Sequence, residues 1–269
     1  MILLALFLAL AGIGVLAYPT LSNYVNQLDG SSAIQQLHSA VLQADTDELA
    51  HQRQLAQDYN SSLMNTDFSD LFSEEAAVPA GYGDILDFGG GMLGYLEIPK
   101  IDVRLPILHG VGEEVLSRAV GHLPQSSFPI GGAGCHAVLT GHTGLPSAAL
   151  FTDLIRLVPG DQFSIRILGQ VLTYQVDQIL TVLPNELRSL AIDPEKDLCT
   201  LVTCTPYGIN THRLLVRGHR VENAETARTI RVTADAMQVE PLIVAPMVAA
   251  PMLAVLLIWV MLGGGKKRR

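Results

Sequence analysis

In the stretch CTLVTCTPYGINTHRLLVRGHR, residues 199 to 220, Cys204 ends an apolar run two residues before Pro206 and nine before Arg213. Strand alternation sends Leu198, Thr200, Val202 and Cys204 to one face and Cys199, Leu201 and Thr203 to the other. Pro206 has no N–H to give a ladder, so the strand ends near it, and a thiol at a strand end beside a loop is open to substrate. The competing reading of a lone cysteine is a small buried hydrophobe. A thiol nucleophile also needs a proton partner and a donor for the oxyanion it creates.

Both are in the sequence. His142 closes the run HAVLTGH between Gly141 and Thr143, again where a strand meets a loop. His38 and His51 fall in an N-terminal helical stretch, His136 opens the same run as His142, and His219 lies beyond the Cys204 strand. Arg213 follows the PYGINTH loop; a hairpin there returns its guanidinium to Cys204, where it could hydrogen-bond a carbonyl becoming an oxyanion. Arg217 shares its face, so one of the two is expected to serve the surface. No C-x-x-C or H-x-x-x-H pair is present, so no metal is expected, and no clustered acidic loop asks for calcium.

The elements that must position these groups are short. Seven apolar runs separated by Gly and Pro, LGYLEIP, RLPILHG, HAVLTGH, DQFSIRIL, QVLTYQVDQILTVLP, LCTLVTCTP and HRLLVRGHRVE, predict a mainly β fold, a sandwich or barrel. ALFTDLIRL (149–157) is the one internal piece with helical spacing. Upstream, residues 31–60 place Ile34, Leu37, Val41 and Leu42 on one helical stripe with Ser32 as N-cap, an amphipathic helix. Residues 61–91, rich in Ser, Asp, Ala and Gly, read as a long loop or linker.

The apolar excess lies at the two ends. Residues 1–18 carry no charge and would make about 27 Å of helix, close to a bilayer core. With no small-x-small cleavage site after it, this run is expected to be an uncleaved anchor. Residues 241–262 are a second uncharged run of about 33 Å, and Lys266, Lys267, Arg268 and Arg269 follow it. The positive-inside rule keeps that tail (263–269) in the cytoplasm and the intervening domain outside the cell. A net charge of -9 with no basic stripe argues against nucleic acid as a partner. Outside the cell, the odd count of Cys135, Cys199 and Cys204 leaves at least one thiol free. Cys199 and Cys204, five apart on one strand, lie about 16 Å apart and cannot pair. Cys135 with Cys199, Cys135 with Cys204, or no bridge remain.

TLVTCTPYGINTHRLLVRGHR, with TGHTGLP about sixty residues before it, resembles class C sortases, the pilus-assembling transpeptidases of Gram-positive bacteria. GYLEIPKIDVRLPILHG, GHLPQSSFPIGG and the two apolar ends are similar to that class too. The resemblance implies a sortase β-barrel with short helices, divided into an N-terminal membrane anchor (1–18), a helical segment and lid loop (19–91), the catalytic barrel (92–223), a linker (224–240), a C-terminal membrane helix (241–262) and the basic tail. It implies Cys204 as nucleophile, His142 as its partner and Arg213 as oxyanion support, with no cofactor. The expected reaction cleaves an LPXTG-like sorting motif of a pilin at Thr-Gly and joins the acyl group to a pilin lysine. The alternatives are a wall-anchoring sortase that uses a peptidoglycan amine, and a non-catalytic membrane-tethered binding module. The family's lid carries an Asp-Pro-aromatic motif; here Asp67 and Phe68 are adjacent with no proline between them, and they are the lid candidates. Cys135 and Cys199 have no role in the family pattern, and a bridge between them is the only pairing that leaves Cys204 free.

Overall fold

The computed structural model describes residues 2–63, 78–145, 148–186 and 188–223, with side chains from Ile13 onward. Eight strands close into a barrel: β1 (Met92–Ile98), β2 (Val103–His109), β3 (Val120–His122), β4 (Cys135–Thr140), β5 (Gln162–Ile167), β6 (Gln170–Val182), β7 (Asp197–Thr205) and β8 (His212–Val221). Their order around the barrel is β1-β2-β3-β4-β7-β8-β6-β5. Most neighbours are antiparallel, but β2 with β3 and β4 with β7 are parallel. All seven predicted runs are strands. The eighth, β3, has three residues, too few for alternation to register.

Alternate side chains fill the barrel: Leu96, Ile107, Leu139, Phe163, Ile165, Tyr174, Leu201 and Val216 are each 0% exposed. Burial of each such side chain is worth about 1.5–3 kcal/mol. Gly218 allows Phe163 and Tyr174 to stack at 5.5 Å, because a Cβ there would fall 2.8 Å from the Phe163 ring.

Two helices brace the outside. α1 (Ile2–Gln43) and α2 (Thr46–Leu63) meet at Ala44–Asp45, so Ser32 lies inside a helix and caps nothing. Ile34 and Leu37 are buried and Val41 half-buried, against Met92, Leu108, Val115, Leu116 and Ala119, whereas Leu42, off that stripe, is 72% exposed. Farther along, α2 is clamped to the loop between β3 and β4. Asn60 gives and receives a hydrogen bond with the Phe128 backbone (3.0 and 2.7 Å), Arg53 donates to Ile130 O, and Tyr59 OH donates to Pro124 O. Leaving the Phe128 groups unpaired would cost about 1–3 kcal/mol.

Residues 78–91 are more than linker, since Tyr82, Ile85 and Leu86 enter the main core. Residues 149–157 form no α-helix but turns ending in a 3-10 turn, Leu154–Arg156. Phe151, Leu154 and Leu157 are all buried, a three-residue period that matches 3-10 rather than α geometry. Among the described residues no helix is long and apolar enough to cross a membrane. The 241–262 run, the 224–240 linker and the basic tail lie outside the described residues.

Candidate active site

The parallel register of β4 and β7 sets Thr140 beside Val202. Two residues further along each strand, His142 and Cys204 therefore come off neighbouring chains at the same level. The ladder is prolonged to hold them there: Gly141 N donates to Val202 O (3.0 Å), and Thr203 Oγ1 donates to Gly141 O (2.7 Å). A side chain at position 141 is excluded, because its Cβ would meet the fully buried Phe151 ring at 2.6 Å. Phe151 N closes the turn on His142 O at 3.0 Å.

On the other side, β7 and β8 form the hairpin, and Cys204 pairs with Arg213 across it. Ile209 N and Asn210 N both return to Pro206 O, which closes the connecting turn. Arg217 forms a bidentate pair with Asp177 (2.9 and 3.1 Å), while among the described residues Arg213 reaches only the Asn210 and His212 carbonyl oxygens through Nη1, each at 3.3 Å. The arginine left with loose partners is thus the one beside the cysteine.

Cys204, His142 and Arg213 line one groove of about 570 Å³ on the outer face of the barrel. Val111, Leu116, Leu123 and Val202 make its apolar walls. Thr140 Oγ1, on the same wall, is buried and has no hydrogen-bond partner among the described residues, a group that a bound main chain could satisfy. A thiol, an imidazole and a guanidinium converging on a half-apolar cleft can attack a carbonyl, carry a proton and stabilise an oxyanion. Among the described residues no hydrogen bond joins Cys204 to His142; His142 Nε2 instead faces Glu113 Oε2 at 3.2 Å. Glu113 opens α3 (Glu113–Leu116). Its contact with His142 spans 29 residues, and only the fold shows it; the acidic pair after Gly112 was the sole local hint.

All three cysteines are free thiols, so of the alternatives left open by the sequence the one without a bridge holds, and the Cys135–Cys199 pairing that would leave Cys204 free is absent. The register explains why. Cys199 sits beside Ala137, which leaves Cys135 two residues along the next strand, about 8 Å from Cys199 and beyond disulfide reach. Burial pushes the Cys135 thiol up to about 12 and the Cys199 thiol well above the ordinary thiol range. His136 is buried with both nitrogens occupied, facing Ala191 O (2.9 Å) and Thr200 Oγ1 (2.8 Å). The lid candidates Asp67 and Phe68 lie outside the described residues. Among those described, no group of His, Cys, Asp and Glu is arranged to hold a metal.

Residues 96–221 match the family profile of the sortase domain. Among curated proteins, sortase D of Bacillus subtilis is 30% identical over 135 residues, 49% of this chain and 65% of the relative. Sortase A of Streptococcus agalactiae is 28% identical over 137 residues, 50% of this chain and 55% of the relative. The chain thus spans less than two thirds of either. Solved structures match more closely. Sortase C1 of Streptococcus agalactiae is 45% identical, with TM-score 0.66, covering 72% of this chain and 100% of that one. Sortase C1 of the group B Streptococcus pilus island 1 is 40% identical, with TM-score 0.68, covering 75% and 96%.

Proposed function

The chain belongs to the sortase family, and we propose that it is a membrane-anchored cysteine transpeptidase that polymerises pilins. The observation that carries this reading is the groove shared by Cys204, His142 and Arg213. The pilus assignment leans on the class C neighbours, one of which is named for a pilus island.

In the proposed reaction, Cys204 gives its thiol proton to His142 and Sγ attacks the Thr carbonyl of an LPXTG-like motif. Arg213 leaves its two long carbonyl contacts and donates to the resulting oxyanion. His142 protonates the departing glycine amine, so the Thr-Gly bond breaks as a thioester forms. A lysine ε-amine of a second pilin then gives up a proton to His142 and attacks the thioester; the C–S bond breaks, His142 returns the proton to Cys204 Sγ, and an isopeptide bond is left. The uncharged runs 1–18 and 241–262, with the basic tail, support an exterior domain held at the membrane between two helices.

The test is mass spectrometry of the full chain in detergent, wild type and Cys204→Ala, with an LPXTG-like peptide and a lysine-bearing acceptor. A thioester adduct and an isopeptide product are expected from the wild type only, with the variant down by at least about 10³-fold. Product formed equally by both would overturn the assignment of Cys204. A product with a peptidoglycan-type amine but none with lysine would replace pilus assembly with wall anchoring.

A further inference from the structure

The groove contains a contact that the proposed chemistry leaves unused. Glu113 Oε2 lies 3.2 Å from His142 Nε2, and the glutamate side chain is 80% exposed. Its platform is fixed all the same. Val115 and Leu116 of α3 are buried in the cluster that receives Ile34 and Leu37 of α1, and the amides of both donate to Gly112 O. The carboxylate therefore projects from an anchored turn onto the rim of the site.

We propose that Glu113 is a positioning residue for His142. Its carboxylate accepts a hydrogen bond from Nε2–H, which assigns the proton of the neutral ring to Nε2 and leaves Nδ1 for Cys204 and the leaving amine. The negative charge also offsets Arg213, the cation that lines the same groove, as His142 becomes an imidazolium. Beside His142 the groove presents Glu113 from α3, Cys204 from β7 and Arg213 from β8 as its titratable and charged groups. Glu114, the next residue of α3, is exposed and is not the carboxylate that faces His142, so it serves as a local control. The inference rests on the reading of His142 as the proton carrier.

Two readouts test it on the full chain in detergent. With an LPXTG-like peptide, Glu113→Ala should lower kcat about tenfold and leave KM within about twofold, part of what a positioned general acid contributes. Glu113→Gln, which keeps an acceptor oxygen without the charge, should fall between alanine and wild type, and Glu114→Ala should change nothing. In a Cys204→Ala background, ring ¹⁵N shifts of His142 should report the Nε2–H tautomer, turning to a mixture on Glu113→Ala. An unchanged kcat, or a raised KM with kcat intact, overturns the proposal, as does an unchanged tautomer. A wild type with no activity would sink the functional reading, yet the tautomer measurement would still decide the Glu113 contact.

Discussion

The parallel strands β4 and β7 carry the same residue types at both ends and do different things with them. At their start stand Cys135, His136 and Cys199; at their finish stand His142 and Cys204. The first set is sealed. Cys199 is 0% exposed and Cys135 3%, burial holds both thiols protonated, and His136 spends its two nitrogens on Ala191 and Thr200. The second set opens on a groove, with Cys204 half-buried and the imidazole facing an exposed glutamate. Accessibility in this barrel is set by where each strand stops and by which hydrogen bonds are already made, not by which side chains are present, and reactivity is expected to follow it.

That contrast breaks most sharply under alkylation. Iodoacetamide should label Cys204 in the native chain and leave Cys135 and Cys199 untouched until unfolding, a rate difference of about 10³-fold or more, because exchange of a core thiol requires opening. Peptide mapping after timed quenching gives the three rates separately. Labelling of Cys199 at a rate near that of Cys204 would mean that the barrel interior opens readily, and the distinction between the two ends would fail.

Next in size is the pair of arginines on β8. Arg213→Ala should reduce kcat about 10²–10³-fold, the usual cost of removing an oxyanion donor. Arg217→Ala should leave kcat within a few-fold and act on stability through its lost pair with Asp177, which at this partly exposed position is worth about 1 kcal/mol or less. Steady-state kinetics and thermal unfolding on both variants separate the roles. Equal losses of kcat would show that the guanidinium beside Cys204 has no special place.

Much of this arrangement was legible in the sequence because its signals are local. Alternation and proline placed Cys204 at a strand end, on the face opposite Cys199 and Leu201, and Gly-Pro punctuation bounded seven of the strands. What escaped depends on contacts that no local pattern encodes. β3 owes its pairing to partners on β2 and β4, not to its own residues. Two of those residues are Gly121, where a Cβ would collide with Gly110 O at 2.3 Å, and the buried His122. The choice among the open cysteine pairings, and the absence of a Cys135–Cys199 bridge, is settled by register, which is a property of two strands at once. Phe151, Leu154 and Leu157 mimic an α-helical stripe because periods of three and of 3.6 coincide over so short a run. The Glu113 contact with His142 joins residues that the pairing of β2, β3 and β4 brings together, not any local sequence pattern.

His122 takes the comparison to a third histidine, whose effect falls on stability and leaves kcat alone. Its ring stacks on Phe128 at 4.8 Å, accepts a hydrogen bond from Tyr82 OH at Nδ1 (2.8 Å) and donates from Nε2 to Ser127 O (2.9 Å). Burial, the largest cause, lowers its pKa to about 3. In the unfolded chain the same group titrates at about 6.5. Between those values the unfolded state holds the extra proton, so stability rises with pH through the window and is lost on acidification from about 6.5 downward. At a slope of about 1.4 kcal/mol per pH unit, moving from pH 7.5 to pH 5 should remove about 2 kcal/mol through this residue alone. Thermal unfolding at the two pH values, compared between wild type and His122→Phe, should show a shallower pH dependence in the variant even though it begins less stable. Parallel pH dependences would mean that His122 takes up its proton over the same pH range in the folded and unfolded protein, and that burial alone does not set the state of a histidine in this barrel.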